Sequence, residues 1–183
     1  KTQGVHQVQN HTAALKILVD LKGEQGVPLL VDAMNDKNPQ YRAAALKFAE
    51  GFTGNEATAL WVKKLDKSSD QVKAEILTML GRAGNHTALP AELNALQNRN
   101  EEVKLAAIRG AGQWGGQEVL PSLLKVMKTG NPQEIDAVAR AIQVMKGPEV
   151  TGQAAGALAS TPSGYGQAAL IHILSERSAD DHL

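Results

Sequence analysis

Residues 100–127 read NEEVKLAAIRGAGQWGGQEVLPSLLKVM, a helix, a glycine break and a second helix. Nearly the same grammar recurs on both sides every 31 residues. A fixed period of this size marks one supersecondary unit copied along the chain. Four columns carry it. The first is Gly23, Gly54, Asn85, Gly116 and Gly147, each following an apolar run. Gly and Asn most readily take the left-handed conformation that ends a helix. The second is Pro28, Ala59, Pro90 and Pro121, where a helix's first turn tolerates proline.

The third column is Val31, Val62, Leu93, Leu124 and Ala155, and the fourth is Met34, Leu65, Leu96, Met127 and Leu158. Three residues separate these two within each unit, so both are expected on the buried face of the first helix. Leu93 is expected between helices, where truncation is costly. A fifth column opens each second helix: Tyr41, Val72, Val103, Ile135 and Tyr165. Ile135 follows Met127 by eight residues instead of seven, which implies an inserted residue in the loop 128–132. The fourth second helix is therefore expected one residue late, or after a bulge.

The repeat makes residues 1–183 one elongated array in which each unit contacts its neighbours. Aromatics are only 3%, which suits close packing of helices through small side chains. Net charge is zero, so nothing in the overall balance points to nucleic acid or an anionic membrane. No apolar run reaches the roughly 18 residues that span a bilayer. Without cysteine there is no disulfide and no thiolate chemistry. The chain opens at Lys1 close to a helix, which reads as a fragment or processed product, so the compartment stays open.

In order, residues 1–9 are polar and expected frayed, and 12–21 form a second helix with Ala14 and Ile17 inward. That half repeat (11–23) precedes units 24–54, 55–85, 86–116, 117–147 and 148–177. Asn38, Ser69, Asn100 and Asn131 stand where the second helices need N-caps. The last pair is weak on paper: its first helix holds Gly152 and Gly156, so either neighbours pack closely on them or it is loose. The tail 175–183 is charged and expected disordered.

Two antiparallel helices per unit, proline opening the first and Val-Lys/Arg-x-Ala-Ala the second, resemble the HEAT repeat in its short bacterial form. The matching residues are Tyr41-Arg42-Ala43-Ala44-Ala45, Val72-Lys73-Ala74 and Val103-Lys104-Leu105-Ala106-Ala107, and the likeness runs over residues 11–177. It implies an all-α, right-handed α-α superhelix of five helix pairs with second helices lining the concave side. Glu75 at a usually small apolar position and Asp136 at a usually basic one depart from the pattern. Similar arrays occur in large, modular bacterial proteins, often exported, beside catalytic domains. The resemblance thus favours an extracytoplasmic setting, with a neighbouring domain of the same polypeptide or a separate protein as partner.

With Tyr41 inward, positions two, six and nine residues on point away from the partner helix, at about 100° per residue. Ala43, Lys47 and Glu50, then Ala74, Thr78 and Gly81, then Leu105, Arg109 and Gly112 make that strip. Leu46, Leu77, Ile108 and Arg140 flank it. It is either a groove for a peptide or partner helix, or a surface closed by packing between repeats. Arg42, Lys73 and Lys104 form a basic ladder, either a phosphate-tracking stripe or a set of ion pairs. Trp61 and Trp114 fall in different columns and read as packing residues.

His6, His11, His86, His172 and His182 show no metal-ligand spacing; His172 reads as a partly buried helix residue. Asn10-His11-Thr12 and Asn85-His86-Thr87 match the glycosylation acceptor pattern. No catalytic or cofactor constellation stands out. The expected function is a non-catalytic protein-interaction, scaffold or spacer module in a larger bacterial protein. The alternative is nucleic-acid binding like the HEAT-like DNA glycosylases, which lacks the charge excess such a surface needs. A lyase-like small-molecule chaperone ranks third, because Glu50, Glu75 and Asp136 are scattered.

Overall fold

The second helices start at Pro39, Asp70, Glu101 and Pro132, so the period of 31 residues is kept through the fourth unit without an insertion. The computed structural model describes residues 2–114 and 116–180, with side-chain surroundings for 6–113 and 116–177. The described chain is all-α, without strands. It divides at Ala88 and Leu89 into two compact units. The first holds α1 (Thr2–Lys22), α2 (Val27–Ala33), α3 (Pro39–Ala49), α4 (Asn55–Leu65) and α5 (Asp70–Ala83). The second holds α6 (Leu89–Ala95), α7 (Glu101–Trp114), α8 (Leu120–Thr129), α9 (Pro132–Val144), α10 (Pro148–Leu158) and α11 (Tyr165–Asp180). Within each unit every second helix packs on its own first helix and on the next second helix, as in α2 on α3 on α5 and α8 on α9 on α11.

Since α9 starts in register, the fifth column continues to Glu134, not Ile135. Glu134 is buried, which an unpaired carboxylate would not tolerate. Its Oε1 lies 2.8 Å from Lys104 Nζ, and it closes a capping box with Asn131. A polar residue in an apolar column thus looks like a frameshift in the sequence. The same register puts Ile135, rather than Asp136, at the position of Arg42, Lys73 and Lys104. Asp136 instead accepts the Tyr165 hydroxyl at 2.8 Å, which raises that phenol's pKa through the hydrogen bond and the carboxylate's charge.

The deepest row of the first helices lies one residue before the expected third column. Leu30, Trp61, Glu92, Leu123 and Ala154 are almost fully buried, whereas of the expected column only Leu124 is buried, Val31, Val62 and Leu93 are half-buried and Ala155 is exposed. Met34, Leu65, Leu96 and Met127 of the fourth column are buried as expected. On α1 the buried residues are Leu15 and Val19, while Ala14 is exposed and Ile17 is 58% exposed. That helix runs unbroken from Thr2, so most of the segment expected to fray is helical.

At the other end α11 continues to Asp180 instead of dissolving after residue 174, and residues 181–183 lie outside the described residues. Arg177 anchors it. The guanidinium is buried and donates to the carbonyls of Ile142, Met145 and Gly147 and to Thr151 Oγ1. Those carbonyls lie at or just beyond the C-terminal end of α9; Ile142 and Gly147 also accept a backbone N–H, from Met145 and Val150, while the Met145 carbonyl accepts from Arg177.

The caps follow chemistry, with one exception. Asn38 accepts from the backbone N–H of Gln40 and Tyr41, Asn100 from Val103, and Asn131 from Glu134. Ser69 makes no side-chain cap bond. The first-column residues do not share one role. Gly23 has φ +57, but Gly54 and Gly116 are extended and precede helices as N-caps, and the left-handed end of α5 is Gly84. Asn85 instead donates its amide to the Thr53 carbonyl and to Asn55 Oδ1, tying one turn to the preceding one.

An added Cβ at Gly152 or Gly156 would meet open space, so neither glycine serves a close contact. Both are exposed inside α10. Gly152→Ala and Gly156→Ala are each expected to stabilise the chain by about 0.5–1 kcal/mol, read as a higher thermal midpoint. Leu123→Ala, in the deep row, is expected to cost about 2–5 kcal/mol in chemical denaturation. Ala43→Ser, on an exposed position of α3, should stay within roughly 0.5 kcal/mol.

Candidate interaction surface

Register decides which residues face solvent. With an unbroken period, the outward column of the second helices is Lys47, Thr78, Arg109, Arg140 and Ile171. Lys47, Arg109, Arg140 and Ile171 are exposed and Thr78 is half-buried, its hydroxyl donating to the Ala74 carbonyl at 2.8 Å. Arg140 therefore belongs with Lys47 and Arg109, not with the flanking leucines. Leu46, Leu77 and Ile108 are buried, which removes them from any accessible strip. Leu105 is half-buried.

Gly81 and Gly112 also point inward. A Cβ at Gly112 would come 2.6 Å from Ala141 Cβ and 3.0 Å from its Cα, so α7 and α9 touch nearly backbone to backbone there. The aligned apolar residues of the strip are thus consumed by contact between successive second helices.

Most cations near the outward column already have partners. In the first unit Lys47 pairs with Glu50 at 2.7 Å, and Arg82 reaches the same carboxylate at 3.1 Å. The Lys47 hydrogen bond, followed by that of Arg82, holds the Glu50 pKa below the usual carboxylate value. The basic ladder is likewise satisfied. Arg42 is buried and bidentate to Glu75, at 2.8 and 2.7 Å, and donates to the Asp36 carbonyl at 3.0 Å. The carboxylate occupies a position that is small and apolar in the resembling family because its partner lies 33 residues earlier on the adjacent second helix. Lys73 stands 3.8 Å from Asp70, and Lys104 pairs with Glu134. Arg109 and Arg140 make no ion pair among the described residues.

The most unusual polar group was not singled out from sequence. Glu92 sits in the deep row, fully buried, and neither carboxylate oxygen has a hydrogen-bond partner. Room for it comes from Gly110, where a Cβ would collide with Glu92 Oε2. The positions equivalent to Gly110 in the neighbouring units are Met79 and Ala141. A charge in that place would be uncompensated, and burial pushes the pKa up to about 8. The 31-residue row would have exposed Glu92, had it been aligned on Leu30 and Leu123 instead of on their successors.

Trp61 is buried as expected, and the Trp114 side chain lies outside the described residues. His172 is exposed instead of partly buried, 3.8 Å from Glu176, and His182 lies outside the described residues. Among the described residues no cluster of His, Asp and Glu could hold a metal ion, and no helix is long and apolar enough to cross a membrane.

Paired helices repeated at one interval, each resting on the next within a unit, define an α-helical repeat protein. Residues 58–143 match the family model for HEAT repeats, which supports a HEAT-repeat family for the chain. No curated protein matches it. HEAT repeats in general are protein-interaction and scaffold modules and are typically non-catalytic.

Glu92 gives the fold a pH dependence of defined sign. Between its ordinary value of 4.5 and about 8 the folded chain holds a proton that the unfolded chain has released. Stability therefore falls as pH rises through that window, by on the order of a few kcal/mol in all. Glu92→Gln is expected to flatten that slope in thermal unfolding followed across the same range, while the parent chain loses thermal stability steadily.

Proposed function

We propose that residues 1–183 act as a single array of repeats that docks a partner protein and performs no chemistry of its own. The docking surface is the outward column of the second helices in the second unit, Arg109 and Arg140 with Leu105 beside them; Lys47 and Thr78, with Glu50, are the corresponding residues within the first unit. One observation carries the reading: Arg109 and Arg140 occupy equivalent exposed positions on the packed helices α7 and α9 without an ion pair among the described residues, whereas the buried or half-buried cations Arg42, Lys73 and Lys104 all have one. Two guanidiniums in one row suit carboxylates on an extended peptide or on one face of a partner helix. The engagement of Arg42 and Lys104 by carboxylates weighs against a phosphate-tracking surface.

The test is crosslinking and affinity capture from the source cells with the parent chain and an Arg109→Glu/Arg140→Glu variant. The variant is expected to weaken capture of a specific partner by at least about tenfold while unfolding at the same temperature. Undiminished capture by the variant, or turnover of a substrate by the purified chain, overturns the reading.

A further inference from the structure

A groove of about 530 Å³ opens in the first unit between α1, α2 and the start of α3. Its floor is apolar, with Leu15 and Leu18 from α1 and Leu29 from α2. Its rim is acidic, with Asp32 and Asp36 beside Tyr41.

The repeat supplies an internal control. One period on, the residues equivalent to Asp32 and Asp36 are Lys63 and Lys67, so the sign of the rim is reversed. The residue equivalent to His11, at the groove's α1 edge, is Arg42. In that second position the chain provides its own cation, and Arg42 is clamped by Glu75. In the first position the acids are present, and the arginine is replaced by histidine.

Both rim carboxylates are held in place, and Asp36 also lies in the field of the Arg42 guanidinium. Asp32 Oδ1 accepts from the Asn35 amide at 2.8 Å and Asp36 Oδ1 from the Asn38 backbone N–H at 2.7 Å. Neither makes an ion pair among the described residues, and no hydrogen bond to either Oδ2 is found there. The field between them is negative: the Tyr41 phenol is pushed up by burial first, then by Asp36 and Asp32.

The floor continues into exposed apolar surface. Leu18 is 46% exposed and Leu21 80%, and with Ile17 they stand at i, i+1 and i+4 on one side of α1. Such a stripe beside a groove fits an amphipathic helix better than a small molecule.

We propose that this groove receives an amphipathic helix of a partner protein, its apolar stripe on Leu18 and Leu29 and a flanking arginine or lysine on Asp32 and Asp36. The occupant is basic because the rim carries two carboxylates that make no ion pair among the described residues, where the next repeat carries two lysines. This surface shares no residue with the outward column, so it goes beyond the function proposed above.

The probe is a helical peptide with a leucine stripe flanked by arginines, titrated into the full chain and followed by methyl NMR. A second peptide carries glutamates in place of the arginines. The arginine peptide is expected to shift the methyls of Leu15, Leu18 and Leu29, with affinity that falls as salt is raised. Asp32→Asn/Asp36→Asn keeps both acceptor oxygens and should weaken binding by about tenfold. Arg109→Glu/Arg140→Glu should leave the titration unchanged, which separates this outcome from that of the outward column.

Equal binding of both peptides, salt-independent binding, or no shift at those methyls overturns the proposal. So does concentration-dependent dimerisation that shifts the same methyls without peptide, since the occupant is then a second copy of the chain.

Discussion

A pair of short helices cannot cover its own apolar stripe, and every other feature of this chain follows from that shortage. Helices of seven to eleven residues such as α2 and α4 have too few turns to persist alone in water. They are held by the row Leu30, Trp61, Glu92, Leu123 and Ala154, which is closed from solvent only because packed helices surround it. The second helices lie so close together that Gly112 and Ala141 leave no space for a side chain between them. Small residues there let the backbones approach, which also explains how a core can form with so few aromatics.

Polar contacts fix the stacking that apolar contact only favours. Arg42 with Glu75, Arg82 with Glu50, Lys104 with Glu134 and Tyr165 with Asp136 all join residues about one period apart. Each is satisfied only when neighbouring units meet in register. A slip by one residue would strand a carboxylate that is now paired, and for buried Glu134 the cost would be large. Apolar contact supplies most of the attraction, and these ties select one alignment among several that bury similar area.

The repeat and its capping asparagines were legible because they depend on local chemistry: period, proline and an oxygen able to accept from a helix N-terminus. The phase of the buried face was not. At Leu30-Val31 and Leu123-Leu124 two adjacent apolar residues compete, and on a short helix a shift of one residue turns the face by only about 100°. The phase error on α1 has the same origin, since Ala14 and Ile17 alternate with Leu15 and Val19. Glu134 misled for a different reason: a buried carboxylate paired across a repeat resembles an insertion when apolar residues are sought.

In the outward column Lys47 and Arg109 could be read from periodicity, whereas the supposed insertion before Ile135 moved Arg140 into the flank. The burial of Leu46, Leu77 and Ile108 could not, because it depends on how closely adjacent repeats approach. Glu92 was hidden by its chemistry, since only its neutral form suits a place in the core row.

The anchoring of α11 bears on how the second unit comes apart. One guanidinium, Arg177, donates to carbonyls from residue 142 to residue 147, 30 to 35 positions upstream. Detaching α11 would strip the Met145 carbonyl of its arginine donor and remove the second hydrogen bond from the Ile142 and Gly147 carbonyls, loosening the turn that follows α9. A linear stack is usually a sum of nearest-neighbour terms that can fray one brick at a time. Here one buried arginine ties α11 to the turn between α9 and α10, so loss of that helix is coupled to loosening of the turn.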